Sequence, residues 1–503
     1  MSQAANAPRL SFGVKVSYGL GAVAQGVGTV ALSTTTITFY LVGVVGMRPG
    51  LVGLVIMLSL IVDAVVDPAI GRFSDTFRSA WGRRHPFMYA SVVPIGLATV
   101  LLWWRPPGLS GDAMATYILV TLVGLRLAGG VYTIPSDALS PELAPDYHER
   151  TTLIAYRWFF GLTAAAVLGV VLGVVFLRQD KSHPLGQYDP HAYAAFGVTA
   201  AVVACASILV SALATHRYIP RLSRAPARRQ SFGDAAREIA AVLSNRSLLA
   251  VMASGLISGV ASGVSATLTS FMNYYFWGLS PQQAALIGVL AAPAAILGIV
   301  VAPFLSRALD KKRTMLTVFA LSIFTGVIPV ALRLLGLAPH NGSVWIIVIL
   351  ATDLMVAGAL GLIGFVIIGS MVADVVEDSA VKSGVRSEGL LFAANGLLPK
   401  VTTGLGSLVG GLMLEAVHFH VRVGPSGVHT VDPATMRNLA LMAMPAGALL
   451  NSMAVAVLGF YRIDRGSHEA NLEALRLATM VGDPPTLPGG GPLVEPDAFS
   501  PKV

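Results

Sequence analysis

The chain contains twelve apolar stretches that are each long enough to cross a lipid bilayer. A transmembrane helix needs about 20 mostly apolar residues at a rise of about 1.5 Å per residue. Hydrophobic residues make up 54% of the 503 residues and charged residues 12%, roughly half the charged fraction of soluble domains. The sequence therefore predicts an all-α membrane protein with 12 transmembrane helices. We place the helices near residues 14–44, 51–73, 87–104, 113–137, 151–176, 191–214, 246–276, 280–304, 314–336, 344–375, 389–416 and 435–462.

The positive charges lie in alternate loops between these stretches. Lysine and arginine are concentrated in the loops 74–86, 138–150, 215–245, 305–313 and 376–388. Cytoplasmic loops of membrane proteins carry this excess of positive charge. We therefore expect a multi-pass protein of the cytoplasmic (inner) membrane, with both termini in the cytoplasm. The same pattern accounts for the net charge of +8 without nucleic acid as a partner.

The longest internal polar segment separates the first six stretches from the last six. The ends of the second and eighth stretches also resemble each other, since each precedes a short loop with an acid and several bases. Two six-helix halves are the architecture of the major facilitator superfamily, whose site lies near the midplane between the halves. We expect an N-terminal half over 1–214, a cytoplasmic loop over 215–245, a C-terminal half over 246–462 and a disordered cytoplasmic tail over 463–503.

Two carboxylates, Asp63 and Asp67, lie inside the second apolar stretch and form what we call the acidic pair. They are four residues apart, so both face the same side of the helix. A carboxylate at that depth is costly unless it is neutralised, paired or hydrated. Two carboxylates in a low dielectric repel each other, so one holds a proton or both share a cation. The pattern predicts a cation-binding site, and a purely structural ion pair is the plainer interpretation.

Five patterns along the chain, the first of which contains the acidic pair, carry a resemblance to a known family through their order and spacing. They are Asp63–Asp75 with Gly82–Pro86, Ile134–Leu143, Glu149–Gly161, Met371–Leu390 and Lys400–Gly404. Together they resemble the glycoside–pentoside–hexuronide:cation symporters, the melibiose permease-like branch of the major facilitator superfamily. The resemblance implies a secondary transporter that moves a sugar, glycoside or hexuronide-like solute together with H+ or Na+. Apart from this coupling ion, we expect no cofactor and no metal.

The resemblance implies that the acidic pair binds the coupling ion, together with Thr133, which stands where the family has a further acid. Val66 and Gly130 stand where melibiose permease supplies other oxygen ligands. Sodium needs several oxygen donors and a proton needs one carboxylate, so these departures favour H+. Arg126 lies near the depth of Asp63. In the alternative interpretation its guanidinium replaces the coupling cation, and the protein is an uncoupled facilitator.

The resemblance also implies a solute site built from charged and aromatic side chains. Arg157 and Lys400 match the family's charged residues near the sugar and at the connection between cation and sugar, although each could instead be the partner of a structural acid. Gly26 stands where the family has a sugar-binding acid, so the site is poor in acids and suits an anionic ligand such as a hexuronide. The predicted substrate-binding residues are Arg157, Lys400, Arg126, Asn395, Trp158 and Tyr275.

Several charges lie at the predicted cytoplasmic ends of helices. We expect them to form pairs that latch the two halves together in an outward-open state, or else to act only as topological signals in solvated loops. These residues are Asp75, Arg84, Glu142, Arg150, Asp374, Glu377 and Arg307. Asp353, within the tenth stretch, is expected to pair with Arg333 rather than to reach the solute.

The sequence lacks the motifs of other functional classes. The sequence has no Walker loop, no zinc-protease motif and no nucleophile elbow, and its only cysteine, Cys205, lies in an apolar stretch. We therefore expect a transporter rather than an enzyme, with membrane lipid and a small solute as its partners and a monomer as its assembly. A carrier of a non-sugar amphiphile or organic anion on the same fold is the remaining alternative.

Overall fold

The computed structural model of the protein describes residues 10–144, 146–179, 186–221, 246–383, 396–423 and 429–461. Most of these residues are helical, because a helix satisfies its backbone hydrogen bonds internally where lipid offers no partners. In chain order the α-helices are α1 (Phe12–Leu20), α2 (Ala22–Ala31), α3 (Thr34–Phe39), α4 (Pro49–Thr76), α5 (His85–Trp103), α6 (Gly111–Ala138), α7 (Ser140–Leu143), α8 (Tyr147–Val171), α9 (Pro190–His216), α10 (Arg246–Phe271), α11 (Pro281–Ala291), α12 (Pro293–Leu309), α13 (Lys311–Ser322), α14 (Val327–Leu334), α15 (Val344–Ser383), α16 (Leu398–Ala416) and α17 (Pro433–Leu458).

Short elements complete the described chain. Three α-helices run on into single π-helical turns, at Tyr40–Val44, Leu172–Phe176 and Met272–Phe276. Two 3-10 turns lie at Gly186–Tyr188 and Ile219–Arg221. Strands β1 (Arg422–Val423) and β2 (His429–Thr430) pair antiparallel, with Arg422 opposite Thr430.

Several helices begin where the sequence carries start signals. Ser280 and Gln283 form a reciprocal capping box at the start of α11. Asp189 and Asp432 cap α9 and α17, and each is followed by a proline in the first helical turn. A carboxylate accepts hydrogen bonds from backbone N–H groups that have no partner inside the helix. Proline, which has no N–H, loses no helical hydrogen bond in the first turn. These signals set helix starts independently of the membrane.

The prediction of an all-α membrane protein is confirmed. Within the described ranges, nine helices are long and apolar enough to cross a membrane, and the bent pair Phe12–Ala31 and Thr34–Val44 makes a tenth. The eighth predicted span is divided into α11 and α12 at Ala292. The eleventh corresponds to α16, and its first residues, 389–395, lie outside the described part of the chain.

The helices form two packed sets. In the N-terminal set, α1–α9, the main contacts are α4 with α6, α5 with α9 and α2 with α8. In the C-terminal set, α10–α17, α10 packs against α16 and α17, and α15 packs against α12 and α13. The predicted boundary of the halves at 215–245 and the predicted tail at 463–503 lie largely outside the described residues and stay predictions.

Contact between the two sets is closest at one end of the bundle. We call the end with Arg84 and Lys311 the basic end, and the other the opposite end. At the opposite end, α4 and α16 approach so closely that a Cβ on Gly53 would lie 2.5 Å from the Ser407 carbonyl oxygen. Thr35 Oγ1 donates to the Ala266 carbonyl oxygen across the same boundary at 2.8 Å. The described contacts therefore hold the two sets together at the opposite end.

Aromatic rings reinforce this closed end. Tyr188 of the N-terminal set stacks on His429 of β2, with ring centroids 3.9 Å apart. Phe39 contacts Tyr188 and also Phe271 of the C-terminal set, both at 5.5 Å between centroids. Such aromatic pairs contribute about 0.5–1.5 kcal/mol beyond the area they bury. The opposite end is thus sealed by packing as well as by hydrogen bonds.

Candidate functional site

The acidic pair forms ion pairs with Lys400, which lies on the other set of helices. Lys400 Nζ lies 2.7 Å from Asp63 Oδ2 and 2.5 Å from Asp67 Oδ2. Asp63 is buried, and the Lys400 side chain is 24% exposed. Because α4 carries the carboxylates and α16 carries the ammonium, this cluster links the two sets of helices midway along α4.

The helix beside α4 presents a second row of predicted site residues. Arg126, Gly130 and Thr133 follow one another on α6 at spacings of four and three, which places them on one face. Arg126 Nε donates to Ser59 Oγ at 3.1 Å. A Cβ on Gly130 would lie 2.9 Å from Asp67 Oδ1, which is buried and makes no hydrogen bond within the described residues.

This arrangement bears on the alternative in which Arg126 neutralises the acidic pair. Within the described part of the chain, Arg126 makes no ion pair with Asp63 or Asp67, and Lys400 pairs with both. The cation seated between the carboxylates is therefore Lys400. Thr133 is half-buried on the same face of α6, and the structure shows no hydrogen bond from it to another described residue.

Arg157 belongs to a separate cluster within the N-terminal set. Its Nη1 donates to Ser136 Oγ at 2.8 Å, and its Nη2 forms an ion pair with Asp137 Oδ1. The guanidinium also lies over the Tyr18 ring, 5.0 Å from its centroid. Gln25 Nε2 donates to the same Asp137 oxygen at 3.3 Å. The cluster holds Arg157 almost fully buried and leaves Asp137 at the surface.

Sequence reasoning missed Asp137, Gln25 and Ser59 as members of these clusters. A signal was present for Asp137, since it lies eleven residues after Arg126 and four after Thr133, on the same face of α6. A buried arginine at mid-helix also requires a nearby acid. The expectation of a site poor in acids did not include Asp137, which forms an ion pair with Arg157.

Two of the remaining predicted substrate residues, Trp158 and Tyr275, are not brought into either cluster. The Trp158 side chain is 66% exposed and no described contact joins it to the Arg157 cluster. Tyr275 lies in a π-helical turn at the opposite end, where its ring packs against Phe419 at 5.7 Å. Asn395 lies outside the described residues.

The predicted pair between Asp353 and Arg333 is wrong. Asp353 Oδ1 accepts a hydrogen bond from the Gly326 N–H at 2.9 Å, at the break between α13 and α14. Arg333 donates instead to the Pro339 carbonyl oxygen at 2.9 Å and to Asn341 Oδ1 at 2.5 Å. Gly326 has a positive φ of 72°, so the helix breaks there and exposes an N–H that the carboxylate satisfies.

Four of the predicted latch charges, Asp75, Arg84, Glu142 and Asp374, take part in ion pairs within one set of helices. Arg84 lies 2.6 Å from Asp75 and 3.4 Å from Glu142, all in the N-terminal set. Lys311 pairs with Asp374 at 2.7 Å within the C-terminal set. The pairs described here brace the basic end of each set, and a latch between the sets stays a prediction.

Three other latch candidates have different surroundings. Arg150 Nε is buried and makes no hydrogen bond with the described residues. Arg307 is exposed near the end of α12. Glu377 lies on α15, and its side chain is outside the part of the structure that is described.

Comparison with known proteins gives consistent matches along the chain. A family model described as MFS/sugar transport protein matches residues 17–465. The uncharacterized symporter sll1374 of Synechocystis is 26% identical and aligns with 93% of this chain and 97% of its own length. The isoprimeverose transporter of Lactiplantibacillus pentosus is 24% identical and aligns with 77% of this chain and 76% of its own.

A solved structure shows the same fold at low sequence identity. The nucleoside transporter NupG superposes with a TM-score of 0.58 and 16% identity, covering 88% of this chain and 98% of NupG. Identity at this level shows the shared fold and does not transfer a substrate.

Proposed function

This chain belongs to the MFS/sugar transport protein family, and from that premise we propose that it carries a sugar-like solute by alternating access, coupled to protons through Asp63 and Asp67. The family resemblance carried by the five sequence patterns is confirmed. Relatives are named as symporters, and one is named an isoprimeverose transporter. The observation that carries the proposal is the contact of Lys400 with both carboxylates across the boundary between the helix sets.

A proton changes this contact directly. Protonation of one carboxylate removes one of the two charges that hold the Lys400 ammonium, and the attraction between α4 and α16 weakens. Symport requires that the acidic pair takes up this proton together with the solute while the opposite end is open. Once that end has closed, with Gly53 against Ser407, the Lys400 ammonium displaces the proton toward the other side and pairs with both carboxylates. The proton therefore acts as the alternative partner of the acidic pair.

The surroundings of the acidic pair support a proton over a sodium ion. Lys400 occupies Oδ2 of both carboxylates, and Asp67 Oδ1 faces Gly130, which has no side chain. Sodium is a hard cation that binds through several oxygen ligands, whereas one carboxylate oxygen suffices for a proton. We therefore assign H+ as the coupling ion.

We also propose that the basic end faces the cytoplasm of the inner membrane. The loops at this end hold the clusters of arginine and lysine, which is the charge distribution of cytoplasmic loops. The described contacts between the sets lie at the opposite end and at Lys400, midway along α4, so the closed opposite end would face outward. This state gives the solute access from the cytoplasm.

An uncoupled facilitator is the second candidate, favoured by the position of Arg126 beside Ser59 at the level of Asp63. Arg126 and Lys400 together balance the two negative charges of the acidic pair without any ion. In that case the solute would equilibrate across the membrane and no gradient would drive it.

Uptake into proteoliposomes under separate proton and sodium gradients tests these proposals. We expect isoprimeverose or another glycoside of a test panel to accumulate in response to the proton gradient alone. Asp67→Asn should abolish accumulation, and Asp112→Asn, an exposed carboxylate at the far end of α6, should leave it unchanged. Accumulation that follows sodium would contradict the assignment of the ion. Uptake that only equilibrates in the wild type and becomes ion-driven in Arg126→Ala would establish the facilitator.

A further inference from the structure

Ion pairs join the two sets of helices at two levels along the same pair of helices. Within the described residues, the ion pairs that cross the boundary are those of Lys400 with the acidic pair and that of Arg48 with Glu415. Lys400 and Glu415 both lie on α16, about 22 Å apart along the helix axis. The pair of Arg48 and Glu415 therefore lies at the opposite end, far from the acidic pair.

Glu415 contacts the start of a helix that belongs to the other set. Its Oε1 lies 2.8 Å from Nη2 of Arg48, the residue directly before α4. Its Oε2 lies over the first turn of α4, because a Cβ on Gly50 would come within 2.1 Å of that oxygen. The Gly50 N–H donates a hydrogen bond to the same carboxylate. The carboxylate therefore binds the N-terminal end of α4.

The helix α4 has no cap from its own set. The side chain of Arg48, at the N-cap position, makes no capping hydrogen bond, and Pro49 in the first turn has no N–H. The first N–H groups of a helix have no partner inside it, and the partial positive charge there favours a carboxylate. Glu415 therefore serves as the capping residue of α4 from the other set of helices.

Arg48 has the complementary position at the end of α16. This helix ends at Ala416, directly after Glu415. The last carbonyl groups of a helix carry a partial negative charge that favours a cation. Each of the two charges thus lies beside a helix end of opposite polarity. Because these interactions all cross the boundary, separation of the two sets at the opposite end removes them together.

Glycine residues allow this contact. A Cβ on Gly411 of α16 would lie 2.4 Å from the Pro49 carbonyl oxygen, so the two backbones touch one turn before Glu415. Gly50 leaves open the space that Glu415 Oε2 occupies. A side chain at position 50 would displace the carboxylate from the first turn of α4 without changing any charge.

Resting on the proposed alternating access, we propose that Glu415 is the gate residue of the opposite end, which caps α4 and binds Arg48 while that end is closed and releases both when it opens. The Arg48 side chain is 79% exposed and that of Glu415 is 37% exposed. A contact so accessible to water and salt is weak enough to break in every transport cycle. Glu415 therefore sets the balance between the closed and open states of this end.

Distances between spin labels across the opposite end test this role. The labels replace Trp104 and Val344 in the full chain with Cys205→Ser, in lipid nanodiscs without solute. We expect Glu415→Gln to raise the ratio of the long-distance to the short-distance population about fivefold, the effect of losing one contact of this kind. Glu415→Ala should raise the ratio further, because glutamine still accepts the Gly50 N–H and alanine does not.

Other variants act on the same contact from the side of α4. Gly50→Ala should raise the ratio by displacing the carboxylate. Arg48→Gln should raise it less than Glu415→Gln, because Arg48 is the more exposed partner. In the presence of Glu415→Gln it should have no further effect, because the pair is already broken. Arg178→Gln removes another exposed arginine at the opposite end and is the matched control.

The outcomes distinguish this inference from the proposed function. If Glu415→Gln and Gly50→Ala leave the ratio unchanged and Asp67→Asn raises it, the inference is overturned and alternating access stands. An equal rise in Arg178→Gln would also overturn the inference, as would variants at Glu415 that lower only the melting temperature. A single distance that no variant and no added glycoside changes would contradict alternating access itself, and the inference falls with it.

Discussion

Lys400 on α16 contacts Asp67 on α4, with Nζ 2.5 Å from Oδ2, across the boundary between the two sets of helices. The two residues are 333 positions apart in the chain. Removing one partner of an ion pair inside a membrane protein destabilises it, because the remaining charge is buried without a partner. The strength of this contact therefore depends on the protonation of the acidic pair.

Lys400→Gln should destabilise the protein in a pH-dependent way. Without the ammonium, two neighbouring carboxylates repel and the folded state takes up a proton to relieve the repulsion. A folded state that binds more protons than the unfolded state gains stability as pH falls. We expect a loss of about 3 kcal/mol in the free energy of unfolding at pH 8 and a smaller loss at pH 6. Equal losses at both pH values, measured by thermal unfolding in detergent, would contradict this account.

Gly130→Ala should impair coupling through Asp67. A Cβ at this position would lie 2.9 Å from Asp67 Oδ1, so the carboxylate must shift away from α6, which disturbs its contact with Lys400. Gly124→Ala is the matched control, because no atom lies within 4 Å of its Cβ position on the same helix. We expect proton-driven uptake to fall severalfold in Gly130→Ala only. A similar fall in both variants would indicate a general effect of alanine in α6.

Gly53→Ala should open the opposite end. The added Cβ would lie 2.5 Å from the Ser407 carbonyl oxygen, whereas a Cβ on Gly71 of the same helix meets only Ile134 Cγ2 at 3.6 Å. We expect Gly53→Ala to lengthen the distance between spin labels at Trp104 and Val344, which are both exposed at the opposite end. The labels replace these residues in a protein with Cys205→Ser. An unchanged distance distribution, or an equal change in Gly71→Ala, would argue against this closed contact.

Asp353→Ala should lower stability and leave coupling intact. Its carboxylate accepts the Gly326 N–H at the break between α13 and α14 and serves as a cap. Loss of a capping side chain costs about 1 kcal/mol. We expect a lower melting temperature and an unchanged ratio of protons to solute. Asp353→Asn should lower the melting temperature by less than Asp353→Ala. A change in the ratio would place Asp353 in the coupling mechanism instead.

Features that depend on the local sequence pattern could be predicted from the sequence. The apolar stretches predicted the membrane helices, and the spacing of Asp63 and Asp67 placed both carboxylates on one face of α4. The division of the eighth span at Ala292 and the helix break at Gly326 were not predicted, because apolar length alone does not show where a helix bends. Without the break at Gly326, Asp353 was assigned to the wrong partner.

Contacts between distant helices were harder to predict. The sequence singled out Arg126 as a candidate partner of the acidic pair because of its depth, and only the family resemblance linked Lys400 to the cation. The packing of α16 against α4 brings Lys400 into contact with both carboxylates. Asp137 was within reach of a periodicity argument along α6, but its exposure and its contact with Arg157 depend on how α6 and α8 pack. Depth in the membrane can be estimated from the sequence, and the direction in which a side chain points requires the fold.

Proton movement driven by the solute is the measurement that tests the central claim most directly. A glycoside of the test panel is added to proteoliposomes that contain a trapped pH dye and start without an ion gradient. The account predicts that the lumen acidifies as the glycoside enters, that Asp67→Asn abolishes the acidification, and that Asp112→Asn leaves it unchanged. Glycoside entry without acidification in the wild type, or acidification that persists in Asp67→Asn, would contradict proton coupling through the acidic pair.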